Sequence, residues 1–155
     1  MNRRKAIVRE ITEFNKYLDP HLSIQANRSE DVLIVNMYYG NKSVAHVQCN
    51  LEAPNHIIHL ELGRTNKNYR RQGYGTQIRA IILWCAKRAG YKLAFQDSIF
   101  MANSNTSRPR PPSAYIMNKL GFNHQNRNNN GSEHRYLNLN RNIPAVNAVI
   151  RQIMA

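Results

Sequence analysis

The chain lacks a long apolar run. Its longest, residues 80–86 (AIILWCA), falls far short of the roughly 18 residues a membrane span requires. The opening MNRRKAIVREI is charged and has no apolar block of the secretion-signal kind. Cysteine is scarce: Cys49 and Cys85 lie inside apolar stretches, and there is no CxxC. Two such residues predict buried free thiols in a reducing, cytoplasmic or nuclear compartment, and they argue against a disulfide framework. The histidines show no metal-ligand spacing, so no metal is expected. Acids are few as well. Nine Asp and Glu stand against 22 Lys and Arg, giving a formal charge of +13. So few carboxylates make polycationic partners such as polyamines or histone tails unfavourable, whereas phosphates, nucleotides, nucleic acid and acidic surfaces are attracted.

What the chain does have is periodicity. Its 155 residues suit one domain, 1–155, soluble and globular. Ile7, Ile11, Phe14 and Leu18 mark one face of an opening helix, which the Asp19-Pro20 step ends. HLSIQA predicts a short strand, and DVLIVNMYY with KSVAHVQCNL a hairpin turning at Gly40-Asn41. Ala45, Val47, Cys49 and Leu51 share one face of its second strand. HIIHLELGR is the next strand, followed by a helix from about Gly75 to Ala89 with a glycine cap at Gly90. YKLAFQDSIF, a short helix SAYIMNKLG, strands FNHQ and HRYLNL, and a closing helix IPAVNAVIRQIM complete the chain. This pattern predicts an α/β (α+β) fold with a mixed sheet of six or seven strands, helices on both faces and an extra C-terminal helix.

The chemistry concentrates at RRQGYGT, residues 70–76, between a strand and a helix. It is not a dinucleotide fingerprint, because Ile78 stands where the third glycine belongs, and it is not a Walker loop, because Gly-Lys-Ser/Thr is absent. The plainer reading is a structural turn. Against it stands the free N–H array and dipole of a helix start, which small residues at 73 and 75 open to an anion. Thr76 adds a hydroxyl, and Lys67, Arg70 and Arg71 add charge. Such an assembly suits a pyrophosphate.

RRQGYG also fits the pattern R/Q-x-x-G-x-G/A, and SAYIMNKLGF, some forty residues later, resembles A-x-x-L-Y-x-K-L-G-F. In this order and after a strand, they resemble the GNAT superfamily of acetyl-CoA-dependent N-acetyltransferases over roughly residues 30–139. The resemblance implies that acetyl-CoA is the cosubstrate. Its diphosphate would meet the main chain of Arg71, Gln72, Gly73, Tyr74, Gly75 and Thr76 beside Arg70, and its pantetheine arm would lie along Gly63 and Thr65. It also implies that the strands HIIHLELGRT and YKLAFQDSIF splay apart to admit the thioester.

The reaction implied is attack by an amine, whose proton needs a base. Period-two alternation puts Ile58, Leu60 and Leu62 on one face and His59 and Glu61 on the other, at places where family members carry bases or water-holding residues. Glu61 is the first candidate base and His59 the second, singly or as a pair; each also has a purely structural reading. A histidine titrates near neutrality, at about pH 6.5, whereas a carboxylate needs burial or a bridging water. One departure from the family pattern is Met117, where many members carry the tyrosine that protonates the leaving thiolate. Tyr115 lies on roughly the opposite side of that helix, and Tyr74 or Tyr136 are alternatives. The acceptor is an unidentified primary amine, and an aminoacyl group carried on RNA is a refinement that toxin members of the family resemble. The competing reading is a catalytically silent coenzyme A-binding module whose basic surface holds nucleic acid or protein. The closing helix covers the core or forms a dimer contact, so monomer and homodimer are both open.

Overall fold

The structure, a computed structural model, describes residues 2–52, 54–69, 72–98, 112–124 and 133–155. Helix α1 (Arg3–Glu13) continues into a 3-10 turn (Phe14–Tyr17), and strands β1 (Leu22–Ser29), β2 (Val32–Tyr39), β3 (Lys42–Glu52) and β4 (Ile57–Thr65) follow. Then come α2 (Tyr74–Arg88), β5 (Leu93–Ser98), α3 (Pro112–Lys119), β6 (Asn123–His124), β7 (Glu133–Asn138) and α4 (Pro144–Met154). The seven strands form one sheet in the order β1-β2-β3-β4-β5-β7-β6. Every neighbouring pair is antiparallel except β4 and β5. A parallel pair needs a crossover, and α2 supplies it.

Ile7 and Ile11 of α1 and Phe14 beyond it are buried, the face that the helical spacing predicts. The Asn2 side chain accepts from the Lys5 N–H (2.9 Å) and caps the helix start. β1 runs past the predicted Ala26 to Ser29 and returns as β2 through Glu30-Asp31. Alternate residues of β2 and β3 enter the core: Leu33, Val35 and Met37, then Ala45, Val47, Cys49 and Leu51.

α2 lies against the sheet, α1 and α4 together, so it is buried over most of its circumference. It ends as predicted at Gly90, whose φ of 98° permits the paired cap bonds Tyr91 N–H to Ala86 O (3.0 Å) and Gly90 N–H to Lys87 O (3.1 Å). α4 starts with Pro144 at its first turn, where a missing N–H costs nothing, and buries Val146 and Ile150. Among the described residues no helix is long and apolar enough to cross a membrane.

Candidate active site

The parallel ladder between β4 and β5 holds Ile57 to Leu60 against Leu93 to Gln96 and then stops. β4 continues to Thr65 in register with β3, while β5 continues to Ser98 in register with β7. The two strands therefore part beyond Leu60 and Gln96, and the edge of β4 from Glu61 onward has no β5 residue beside it among the described residues. A strand edge of this kind offers main-chain donors and acceptors to an extended ligand.

Strict alternation along β4 breaks at the same place. Cys49 pairs with Leu60, yet its neighbour Gln48 pairs with Leu62, so Glu61 is an extra residue bulged from the ladder. Ile58 and Leu60 stay buried as predicted. Because Val47 and Ala45 pair with Gly63 and Thr65, these two residues lie on the face that looks toward α2. Glu61 itself is exposed, and its carboxylate makes no hydrogen bond or ion pair among the described residues.

The start of α2 stands at the mouth of this gap. Its N-cap is Gly73, with no capping side chain and no acid in the first turn, so among the described residues nothing compensates the free N–H groups and the positive helix end. The two glycines serve different purposes. Gly73 has φ 82°, a left-handed conformation that side chains disfavour, and a Cβ there would meet only Gln77 Nε2, at 4.0 Å. Gly75 is a close approach, since a Cβ there would lie 2.9 Å from Thr65 Oγ1, 3.1 Å from Ile116 Cδ1 and 3.3 Å from Arg79 Nη1. Tyr74 is half-buried with its ring 6.2 Å from that of Tyr69. Burial first, then Tyr39, Tyr69 and Asp19 around it, raises the Tyr74 phenol above its ordinary value. Gln72 is exposed and Thr76 half-buried at the same turn. Arg70 and Arg71 lie outside the described residues.

Two buried polar groups near the parting were not singled out from the sequence. Arg79, one turn beyond Gly75, packs its guanidinium beneath Gly63, and Nη1 donates to Gly75 O (3.0 Å). Gln96, the last β5 partner of Leu60, is buried with its Oε1 unpaired. Sequence periodicity gave Arg79 no meaning beyond charge, because an arginine on the apolar stripe of a helix is recognised only once its burial is known.

His59 pairs with Asn50 on β3 and Phe95 on β5, so these residues share the face opposite Leu60. Its ring stacks on Phe95 with centroids 5.4 Å apart, and Nε2 lies 3.0 Å from Glu52 Oε2. The imidazole thus pairs with Glu52, a diagonal neighbour on β3, and not with Glu61. Tyr136 continues the row as the β7 partner of Phe95. On α3, Met117 is wholly buried and Tyr115 is exposed. Among the described residues no three His, Cys, Asp or Glu side chains gather as metal ligands would, and both cysteines are buried free thiols.

This geometry has counterparts. The model of the Acetyltransferase (GNAT) family matches residues 5–106, which include the candidate bases and the coenzyme A-binding residues but not Tyr115, Met117 or Tyr136. A search of curated protein sequences finds no match. Among solved structures, the ribosomal-protein-S18-alanine N-acetyltransferase from Escherichia coli superposes with a TM-score of 0.56 at 16% identity, covering 72% of each chain. An acetyltransferase from Bacillus subtilis in complex with CoA gives 0.57 at 13% identity, over 76% of this chain and 98% of that one. A GNAT family acetyltransferase from Elizabethkingia anophelis with acetyl-CoA bound gives 0.58 at 12% identity, over 77% and 99%. Identities this low carry the fold, and the family match carries membership. The chain belongs to the GNAT family of acetyl-CoA-dependent N-acetyltransferases.

Proposed function

We propose that residues 1–155 act as one catalytic domain that transfers an acetyl group from acetyl-CoA directly to a primary amine within a ternary complex. The observation that carries this reading is the parting of β4 from β5 beyond Leu60 and Gln96, directly beneath an uncapped, acid-free helix start. Gln72, Gly73, Tyr74, Gly75 and Thr76 offer the diphosphate main-chain N–H groups and the Thr76 hydroxyl, with Arg70 and Arg71 adding charge. Gly63 and Thr65 lie on the stretch of β4 along which the pantetheine arm extends as an added strand. Neither role requires a metal.

The amine reaches the thioester from the face that carries His59. Its nitrogen attacks the carbonyl carbon, the carbon–sulfur bond breaks, and the nitrogen's proton passes to a base. His59 is one candidate, held in orientation by Glu52 and the Phe95 ring. Glu61 is the other, exposed at the first residue past the parting, where it takes the proton directly or through a water. Met117 is buried and has no proton to give, so the coenzyme A thiolate leaves without an acid at that position. Tyr74, at the glycine turn, and Tyr136, in the His59 row, are the tyrosines proposed for this role.

The formal charge of +13 favours an acceptor carried on a polyanion, RNA included. Two buried free thiols suit a reducing, cytoplasmic setting. Turnover of acetyl-CoA with a panel of amines and aminoacyl-RNAs, followed as thiol release, tests the reading. Release with at least one acceptor supports it. Tight coenzyme A binding with no release for any acceptor would instead favour a silent binding module with a basic docking surface.

A further inference from the structure

Arg79 occupies a position where the fold calls for an apolar side chain. Around it on α2 lie Ile78, Ile82 and Cys85, all wholly buried, and Arg79 itself is only 3% exposed. Its guanidinium makes one hydrogen bond, from Nη1 to Gly75 O, while Nε is buried with no acceptor. No carboxylate pairs with it among the described residues. Burial lowers its pKa to about 10, which still leaves it charged at neutral pH. A buried cation without a counter-charge opposes folding, because the lost hydration is not repaid by a partner.

The guanidinium is also placed where a ligand anion would be felt. Nη2 fills the space that a Gly63 side chain would occupy, and a Cβ on Gly63 would stand 2.8 Å from Arg79 Cζ. Nη1 is 3.3 Å from the position of a Gly75 Cβ, beside the Thr65 hydroxyl. Because residues 63 and 75 have no side chains, only backbone stands between this charge and whatever is seated on the first turn of α2. The side chain is almost wholly buried, so attraction across that layer is screened less than at the surface.

We propose that Arg79 is a cosubstrate-binding residue whose buried guanidinium, reaching from inside the fold beneath Gly63 and Gly75, is the counter-charge for the diphosphate of the acyl donor. This rests on the reading of the gap and the glycine turn as the acetyl-CoA site. Glycine at 63 is then explained by the guanidinium it must clear, and the missing carboxylate partner by an anion that the chain itself does not supply. Ligand binding also relieves the cost of the buried charge, so the donor stabilises the fold through Arg79 as well as through the turn.

The test is calorimetric titration of wild type, Arg79→Met and Arg79→Lys with two probes. These are coenzyme A and adenosine 3′-phosphate 5′-diphosphate, which has the diphosphate but no pantetheine arm. Arg79→Met is expected to weaken both probes by a similar factor, on the order of 10- to 100-fold in Kd, as for loss of a charge-assisted contact. Arg79→Lys falls between Met and wild type, and the unliganded Met variant melts no lower than wild type. Equal affinity in wild type and both variants overturns the proposal, and so does a loss confined to coenzyme A, which would place the contact on the arm. Should Arg79→Met fail to fold, Arg79→Gln takes its place: a matching loss for both probes supports the proposal, and wild-type affinity overturns it. A wild-type chain that binds neither probe removes the underlying site reading itself.

Discussion

Leu60 and Gln96 face each other in the last rung between β4 and β5, and Glu61, the next residue, has no rung partner on either side. Bulge and parting therefore coincide. An extra residue turns β4 away from the regular pleat at the point where its neighbour stops holding it, and an exposed carboxylate is left at the mouth of the opening. Glu61→Gln keeps the shape and removes the base. It is expected to lower kcat/KM for acetyl transfer while leaving the affinity for acetyl-CoA near wild type. Steady-state kinetics with varied acceptor check this, and wild-type kcat/KM would remove Glu61 from the chemistry.

His59 gives a second, separable prediction. General-base groups commonly contribute about 10²- to 10⁴-fold, so His59→Ala should reduce kcat within that range if the imidazole takes the amine proton. Glu52→Gln should cost less than His59→Ala, because it removes the orienting carboxylate 3.0 Å from Nε2 and leaves the ring stacked on Phe95. The double variant should lose no more than His59→Ala alone, since the two act as one unit. Losses that multiply would show Glu52 working independently of His59.

The contrast between these two residues shows how much the sequence revealed. His59 and Glu61 were visible because local alternation isolates polar residues on an apolar strand. Glu52 was not, because it joins His59 only through the β3–β4 register, which no local pattern encodes. The bulge escaped for the same reason: period two is a property of a regular strand, and the pairing of Gln48 with Leu62 breaks it. The β1–β2 hairpin was missed because its turn, Glu30-Asp31, has no glycine; Glu30 takes φ 50° itself. The glycine turn and the α2 stop at Gly90 were legible, since backbone needs restrict the residue type there; the parallel pair that α2 connects was expected only from the family resemblance. Two further stretches, SRPRPP at residues 107–112, which reads as a stiffened connector, and the Asn-rich run, which reads as a polar loop, lie outside the described residues at 107–111 and 125–132.

Thiol chemistry provides an independent check on the core. Burial pushes the Cys49 thiol well above its ordinary value, with the Glu61 carboxylate adding to the rise and Arg79 opposing it. Burial, then Glu10, do the same for Cys85, against Arg88. Thiolate is the reactive form, so neither cysteine should react with a disulfide reagent in the folded protein at pH 7 to 8 (about), whereas both should react in denaturant. Because each folded value lies above the unfolded one, the thiols' contribution to stability is complete below the ordinary value of 9.0 and declines as pH rises past it. A fast-reacting native thiol would contradict this packing.

The charge balance makes a prediction about acceptors. If the amine is presented on RNA, contacts from exposed Lys and Arg to phosphates should make binding fall steeply as salt rises, with a linear slope of log K against log salt. Fluorescence anisotropy with a labelled tRNA measures it. Weak binding that ignores salt would leave a small-molecule amine as the acceptor class.

The most direct measurement is coenzyme A titration of the wild type beside Gly73→Val/Gly75→Val, with circular dichroism used to verify that both are folded. Valine at 73 faces a left-handed backbone, costing about 1–3 kcal/mol, and valine at 75 crowds Thr65, Ile116 and Arg79. The predicted result is saturable binding of one coenzyme A per wild-type chain and loss of that binding in the folded double variant. No affinity in the wild type, or equal affinity in the two proteins, would contradict a diphosphate held at the start of α2.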